Sequence, residues 1–357
     1  MQAFSCMTKI ISGPGSISAL EELKAKRLLL VADPYFAKTD LPARIQKAAG
    51  AMETFFEVQP DPTAELAARG TAVVQAFRPD TVVALGGGSA MDCAKAMVYF
   101  SGQKVTFVAI PTTSGSGSEV TDFSILTHDG VKHPLVDDAL LPDVAILDGD
   151  LLATLPNSLI ADAGYDILAH ALESYVARNA GVITRALAAE AVAITCRYLP
   201  ESFEGNTAVR QDVHLAATMA GMAFSQSGLG LCHAMAHALG GKFHIPHGRL
   251  NAILLPAVVE ANAAANAQYA QLARAAGLGG TAELTAVRNL KNTLVRLRKE
   301  LRLPATLAQA GIAPRQVREA TDSLVQAALA DPCCATNPMP PDGAMVRKIL
   351  QQVTGIG

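Results

Sequence analysis

Apolar and polar positions along the chain change their spacing once, near residue 155, and the change separates two kinds of element. In the first part, short apolar runs alternate with helical periodicity. Residues 27–32 (RLLLVA) form an apolar run ending at Asp33-Pro34, the pattern of a buried parallel strand and its exit turn. Residues 54–58 (TFFEV), closed by Gln59-Pro60-Asp61-Pro62, predict a second strand, 81–85 a third and 105–110 a fourth. Residues 63–77 carry a helical repeat with Thr63 and Glu65 suited to its start, and 90–100 read as another helix. This alternation predicts a doubly wound, Rossmann-like parallel sheet, in which ligands bind beyond the carboxyl ends of the strands.

After Pro156 the strand pattern stops. Alanine- and leucine-rich stretches predict helices over 162–177, 182–199, 212–224, 232–239, 251–272 and 282–301, with shorter segments to the end. The expected organisation is an α/β domain over 1–155 and an all-helical domain over 156–357. A chain of 357 residues is also longer than one core usually serves.

Composition narrows the class. Half the residues are apolar, 17% are charged and the net charge is −3, which describes a folded chain with no electrostatic bias toward nucleic acid or an anionic membrane. No apolar run reaches the roughly 18 residues of a spanning helix, and the first residues are too polar for a secretory signal. The six cysteines form no C-x-x-C pair and read as small buried hydrophobes or free thiols of a reduced protein. The expectation is a cytoplasmic protein acting on a small molecule.

Two loops suit an anion. Gly86-Gly87-Gly88-Ser89 follows a strand and opens a helix, so backbone N–H groups and the helix dipole can meet a pyrophosphate. Asp92 in the first turn can bond a ribose hydroxyl. The stretch 111–119 (PTTSGSGSE), again beyond a strand, offers small residues and hydroxyls to a phosphate or nicotinamide. Asp33 can accept from adenosine ribose hydroxyls and would repel a 2′-phosphate, which favours NAD over NADP.

A metal constellation lies in the helical part. Asp166 and His170 are four residues apart on one helix face. His233 and His237 repeat that spacing, and His244 and His247 follow on a proline-broken loop. One carboxylate with several imidazoles suits Fe(II) or Zn(II), although spacing alone does not choose among the histidines.

At these residues the sequence resembles the iron-dependent (group III) alcohol dehydrogenase family. The shared strings are GGGSAMDCAKA, IPTTSGSGSEVTDFSILT, DAGYDILAHALESY, GLCHAMAHALGGKFHIPHGRLNAILLP and a final TNP, in family order over essentially the whole chain. The resemblance implies a dehydroquinate-synthase-like architecture, NAD(H), and one divalent ion, Fe(II) before Zn(II), on Asp166, His170, His233 and His247. It implies that His237 lies near the nicotinamide as a proton relay. Gly87, Gly88, Ser89 and Asp92 fall on the pyrophosphate-and-ribose loop, and Thr112, Thr113 and Ser116 on the second cofactor loop. Lys132 and Leu159 match cofactor contacts, and Phe224 matches a residue lining the alcohol pocket.

The implied activity is a metal-dependent alcohol dehydrogenase or aldehyde reductase acting on short-chain primary alcohols (EC 1.1.1.-). Within the family the chain is most similar to the ethanol and 1-propanol dehydrogenases of ethanolamine and propanediol utilisation. Base rates make a homodimer or larger homo-oligomer the expectation, and that subgroup brings residence in a bacterial microcompartment into it. Tyr165, Ala169 and Arg249 depart from the family pattern beside metal positions. Alternatives are a diol or polyol dehydrogenase (lactaldehyde reductase or 1,3-propanediol dehydrogenase-like) and a dehydroquinate-synthase-like lyase. The lyase needs more basic residues than Lys132, Lys242 and Arg249.

Overall fold

Six strands form one parallel sheet in the computed structural model, which describes residues 4–129, 131–263 and 267–355. They are β1 (Lys9–Ser12), β2 (Ala25–Ala32), β3 (Ala49–Phe55), β4 (Thr81–Gly86), β5 (Thr106–Pro111) and, after a two-stranded hairpin of β6 (Phe123–His128) and β7 (Val131–Val136), β8 (Val144–Leu147). Their order is β1-β8-β5-β4-β2-β3. Successive residues of β2, β4 and β5 sort onto opposite faces. Leu28, Leu30, Val83, Leu85, Val108 and Ile110 enter one core. Leu29, Val31, Val82, Ala84, Phe107 and Ala109 enter the other. Both faces are covered, so these strands read as unbroken apolar runs.

Among its described residues this unit has three α-helices: α1 (Leu41–Gln46), α2 (Ala64–Phe77) and α3 (Gly88–Ser101). Thr63 caps α2 by accepting the N–H of Leu66 at 3.1 Å. Leu66 and Val74 of α2 and Met91, Ala94 and Met97 of α3 pack on the second face. The chain runs outward from β2 to β3 and returns to β4 on the other side of β2. The order therefore reverses between β2 and β4, where open α/β sheets bind their ligands.

One buried cation ties α3 to the segment leading into β6. Lys95 is 1% exposed and donates to the carbonyls of Thr121 at 2.7 Å and Phe123 at 2.9 Å. Burial pushes its ammonium down to about 8, against the opposing pull of Asp92, Glu119 and Asp122.

Among the described residues of the rest there are nine α-helices: α4 (Asn157–Val176), α5 (Val182–Phe203), α6 (Arg210–Ser227), α7 (Leu231–Phe243), α8 (His247–Ala263), α9 (Gln268–Ala275), α10 (Glu283–Glu300), α11 (Pro314–Ala330) and α12 (Gly343–Thr354). Helix α4 is the axial element, packed on α5, α6 and α8. That position explains why it is apolar nearly all round, with Tyr165, Ile167, Leu168, Ala169, Ala171 and Leu172 fully buried. Cys6–Leu155 forms one compact unit, and the chain from Pro156 onward, with the stretch before Cys6, forms another. Among the described residues no helix is long and apolar enough to cross a membrane.

The structure revises several expected elements. Strand β3 spans Ala49–Phe55 rather than 54–58, because Ala49-Gly50-Ala51 carries little strand propensity at an edge position. Strands β1 and β8 and the β6–β7 hairpin are too short or too exposed to announce themselves. The stretch 251–272 is two helices, α8 and α9, and residues 264–266 between them lie outside the described residues. His247 opens helix α8 rather than sitting on a loop, and His244 caps α7 in the left-handed conformation (φ 55°).

Lys95→Met would leave the carbonyls of Thr121 and Phe123 without their donor. The expected loss is roughly 2–4 kcal/mol of stability, read from urea unfolding at neutral pH. An unchanged midpoint would remove the clamp from the account.

Candidate metal centre and nucleotide cradle

Asp166 lies at the middle of α4, and three imidazoles converge on its Oδ1. His170 Nε2, one turn along the same helix, is 3.9 Å away. His233 Nε2 from α7 is at 3.7 Å and His247 Nε2 from the first turn of α8 at 3.4 Å. The donor atoms of Asp166, His233 and His247 all fall within 4.8 Å of one another. His233 Nε2 is buried with no hydrogen-bond partner. An orphaned lone pair aimed into a cluster of like donors fits a cation and has no purpose in a plain core.

The electrostatics agree. Burial alone would push the Asp166 carboxyl up, but His170, His247 and His233 more than reverse this and hold it below the ordinary carboxylate range. Burial opposes charge on His233, yet Asp166 and Glu173 outweigh it and push the imidazole up to about 9. Burial holds His247 well below the usual imidazole range, as a neutral donor. The pocket favours positive charge at its centre, and a divalent ion can supply it in place of a proton. One carboxylate and three imidazoles are a borderline donor set for a first-row divalent ion.

Two further residues hold these donors in place and a third holds the adjoining His237; none of them was singled out from the sequence. Glu173 of α4 accepts His233 Nδ1–H at 2.6 Å, together with the backbone N–H groups of Gly230, Cys232 and His233. A carboxylate can only accept, so Nδ1 carries the hydrogen and Nε2 is left to face Asp166. Asn251 of α8, fully buried, donates to Asp166 Oδ1 at 2.7 Å. Asp331, after α11, pairs with His237 Nδ1 at 2.8 Å. Glu173 was within reach of sequence reading: it stands three residues beyond His170 and seven beyond Asp166, on the same helical face.

The helices meet closely. A Cβ at Gly248 would collide with the Asp162 carbonyl, so glycine is what lets α8 approach α4 and deliver His247. Arg249 clasps Asp162 with two bonds of 3.2 and 2.9 Å across the same crossing. Of the other departures, the buried Tyr165 hydroxyl bonds the Leu294 carbonyl at 2.9 Å, and Ala169 is buried in the helix packing. Phe224 of α6 stacks on His170 with ring centroids 4.3 Å apart. His237 stacks on His247 at 5.2 Å, half-exposed and outside the donor set.

In the sheet unit the two anion-suited loops lie against each other. Helix α3 starts at Gly88 with no side chain capping it. A Cβ at Gly87 would stand 3.1 Å from Thr113 Oγ1, and one at Gly88 3.1 Å from Ser116 Cβ. The backbone of Gly87, Gly88 and Ser89 is thus bare beside Thr113 and Ser116, a cradle that side chains would fill. Thr112 joins them through its N–H to the Gly86 carbonyl at 2.9 Å. Asp33, at the end of β2, borders the same loop: its Oδ2 is 3.8 Å from where a Gly86 Cβ would stand. Its Oδ1 accepts the Tyr35 N–H. Asp92 Oδ1 is buried without a partner, and burial pushes the carboxyl up to about 7. Lys132, on the exposed β7, is paired with Asp61 at 2.6 Å, and Leu159 is exposed on the first turn of α4.

Comparison with known proteins gives a consistent picture. Residues 7–149 match the iron-containing alcohol dehydrogenase family, and residues 160–354 match the C-terminal part of the Fe-containing alcohol dehydrogenase family. The chain is 40% identical to the 1-propanol dehydrogenase PduQ of Salmonella typhimurium, over 99% of this chain and 100% of the relative. It is 36% identical to an NADPH-dependent butanol dehydrogenase of Clostridium saccharobutylicum, over 99% and 98% of the two chains. A solved iron-containing alcohol dehydrogenase from Thermococcus thioreducens superposes with a TM-score of 0.92 at 32% identity, covering 98% of this chain and 99% of that one.

Glu173→Gln keeps the shape of the side chain but cannot accept from all four donors. It should weaken metal binding by roughly 10–100-fold in a chelator competition, with helical content retained. Unchanged affinity would remove Glu173 from the account of the site.

Proposed function

The chain belongs to the iron-containing alcohol dehydrogenase family, and on that premise we propose that it interconverts short-chain primary alcohols and aldehydes using NAD(H) and iron. The observation that carries this reading is the convergence of His170, His233 and His247 on the Asp166 carboxylate. These four residues would hold the ion, and Gly87, Gly88, Ser89, Asp92, Thr112, Thr113 and Ser116 would hold the dinucleotide, with Lys132 and Leu159 as further contacts. When bound, the ion supplies Lewis acidity toward a substrate oxygen, and the nicotinamide gives or takes the hydride.

The chain's own residues do the rest. Asp166 brings the donor set's one formal negative charge and the imidazoles bring neutral lone pairs, so a divalent ion keeps net positive charge. Glu173 and Asn251 fix the orientation of His233 and Asp166. Phe224, stacked on His170, presents an apolar wall that limits substrate size. His237 has Nδ1 held by Asp331, which leaves Nε2 to exchange the product or substrate proton with water. Asp33 favours NAD(H) by accepting from ribose hydroxyls and repelling a 2′-phosphate. The butanol dehydrogenase relative is NADPH-dependent by name, so the preference here rests on Asp33 itself. Residence in a microcompartment extends the same reading from the sequence resemblance, and a homo-oligomer is added from base rates.

The direct test is reduction of acetaldehyde, propionaldehyde, lactaldehyde and dihydroxyacetone by chelator-stripped protein reloaded with Fe(II) or Zn(II). Fastest turnover is expected for the unbranched aldehydes with Fe(II) and NADH. A preference for dihydroxyacetone would move the reading to a polyol enzyme, and inactivity despite one bound ion per chain would overturn it. His237→Ala should lower turnover of the iron-loaded protein by roughly 10²-fold with the ion at the Asp166 centre unchanged. Loss of that ion in the variant would contradict the relay role.

A further inference from the structure

A second cluster of donors adjoins the metal centre without sharing a ligand with it. His237 of α7, with Asp331 and Cys333 of the turn after α11, offers an imidazole nitrogen, a carboxylate oxygen and a thiol sulfur within 4.8 Å of one another. The carboxylate is already oriented. Asp331 Oδ1 accepts the backbone N–H of Cys333 at 2.9 Å, and Oδ2 accepts from His237 Nδ1 at 2.8 Å. The neighbouring Cys334 points elsewhere, its thiol donating to the Ala328 carbonyl at 3.0 Å, so the available sulfur is that of Cys333. The His237 side chain is 38% exposed, which leaves the cluster open to solvent ions.

We propose that His237, Asp331 and Cys333 form a second divalent-metal site, selective for a soft ion such as zinc, which withdraws His237 from catalysis when filled. The inhibitory part rests on the proton-relay reading of His237; the binding site does not. Donors around a tetrahedral zinc lie about 3.3–3.6 Å apart, given Zn–N of about 2.0 Å and Zn–S of about 2.3 Å. Donors already within 4.8 Å reach that arrangement by small side-chain rotations. Sulfur sets the selectivity: the Asp166 centre has only nitrogen and oxygen donors, whereas a thiolate favours zinc over ferrous iron. On binding, the thiol proton leaves to solvent as the metal–sulfur bond forms, and the His237 hydrogen passes by exchange with water from Nδ1 to Nε2 as the metal–nitrogen bond forms, so Nε2 no longer has a lone pair to accept a proton. No electrons are transferred. Three protein donors leave the fourth position to water.

The test counts metal rather than activity alone. Iron-loaded protein is equilibrated with zinc and total metal per chain is measured, and a parallel sample takes Co(II) as a spectroscopic probe. Two ions per chain are expected in the wild type, one in Cys333→Ser and one in Asp166→Ala. A thiolate-to-cobalt charge-transfer band should appear in the wild type and in Asp166→Ala, and vanish in Cys333→Ser. The half-inhibitory zinc concentration should rise by about tenfold or more in Cys333→Ser. A single ion per wild-type chain, or no thiolate–cobalt band in it, would overturn the proposal. So would a second ion that survives Cys333→Ser. The wild-type spectrum needs no variant, so a Cys333→Ser chain that misfolds leaves the test decisive. Retention of both ions by Asp166→Ala would instead count against the first site, which keeps the two readings separable.

Discussion

An ionised carboxylate in the interior of a helical unit must be answered by positive charge and by hydrogen bonds, since burying it bare costs several kcal/mol. Asp166 is answered by both. Three imidazoles face its Oδ1 and the fully buried Asn251 donates to it. Meeting that demand organises the helices around α4. Helix α7 brings His233, α8 brings His247 and Asn251, and the Gly248 crossing with its Arg249–Asp162 clasp sets how near α8 can come. Charge placement and close packing are one constraint here: moving α8 outward would lengthen the 3.4 Å approach of His247 and strand the carboxylate.

The sheet unit solves a different problem with opposite means. Its two anion-suited loops present bare backbone and withhold side chains. The reversal of strand order between β2 and β4 opens a crevice at their carboxyl ends. Asp33 terminates one of these strands and the glycines follow the other. Thr113 and Ser116 from beyond β5 close the cradle, packed where any side chain on Gly87 or Gly88 would stand. The apolar strands beneath, buried on both faces, hold these loop ends in register.

Much of this was legible in the sequence, for physical reasons. The long apolar strands and the i, i+4 pairing of Asp166 with His170 are local patterns, and local patterns survive into the fold. Elements whose identity depends on distant partners were harder to read. Strands β1 and β8 are four residues each and gain their character only by pairing, β1 with β8 and β8 with β5 as well. The break between α8 and α9 is hidden in alanines, which signal helix on both sides of it. Asn251 and Asp331 acquire meaning only when folding brings them to Asp166 and His237, 85 and 94 residues away. Glu173 is the instructive case, since its helical face pointed at the site while its partner lay sixty residues downstream.

Glu173 also has a role that needs no ion. It neutralises the N-terminal turn of α7 by accepting the backbone N–H groups of Gly230, Cys232 and His233, bonds that owe nothing to a metal. His233 is therefore oriented by the polypeptide itself, so that metal loading would not have to be the step that folds this turn. On the proposed function, a centre built this way would exchange its ion as a finished protein: its occupancy would follow the supply of metals around it, and a chain that had lost its ion would be able to regain one.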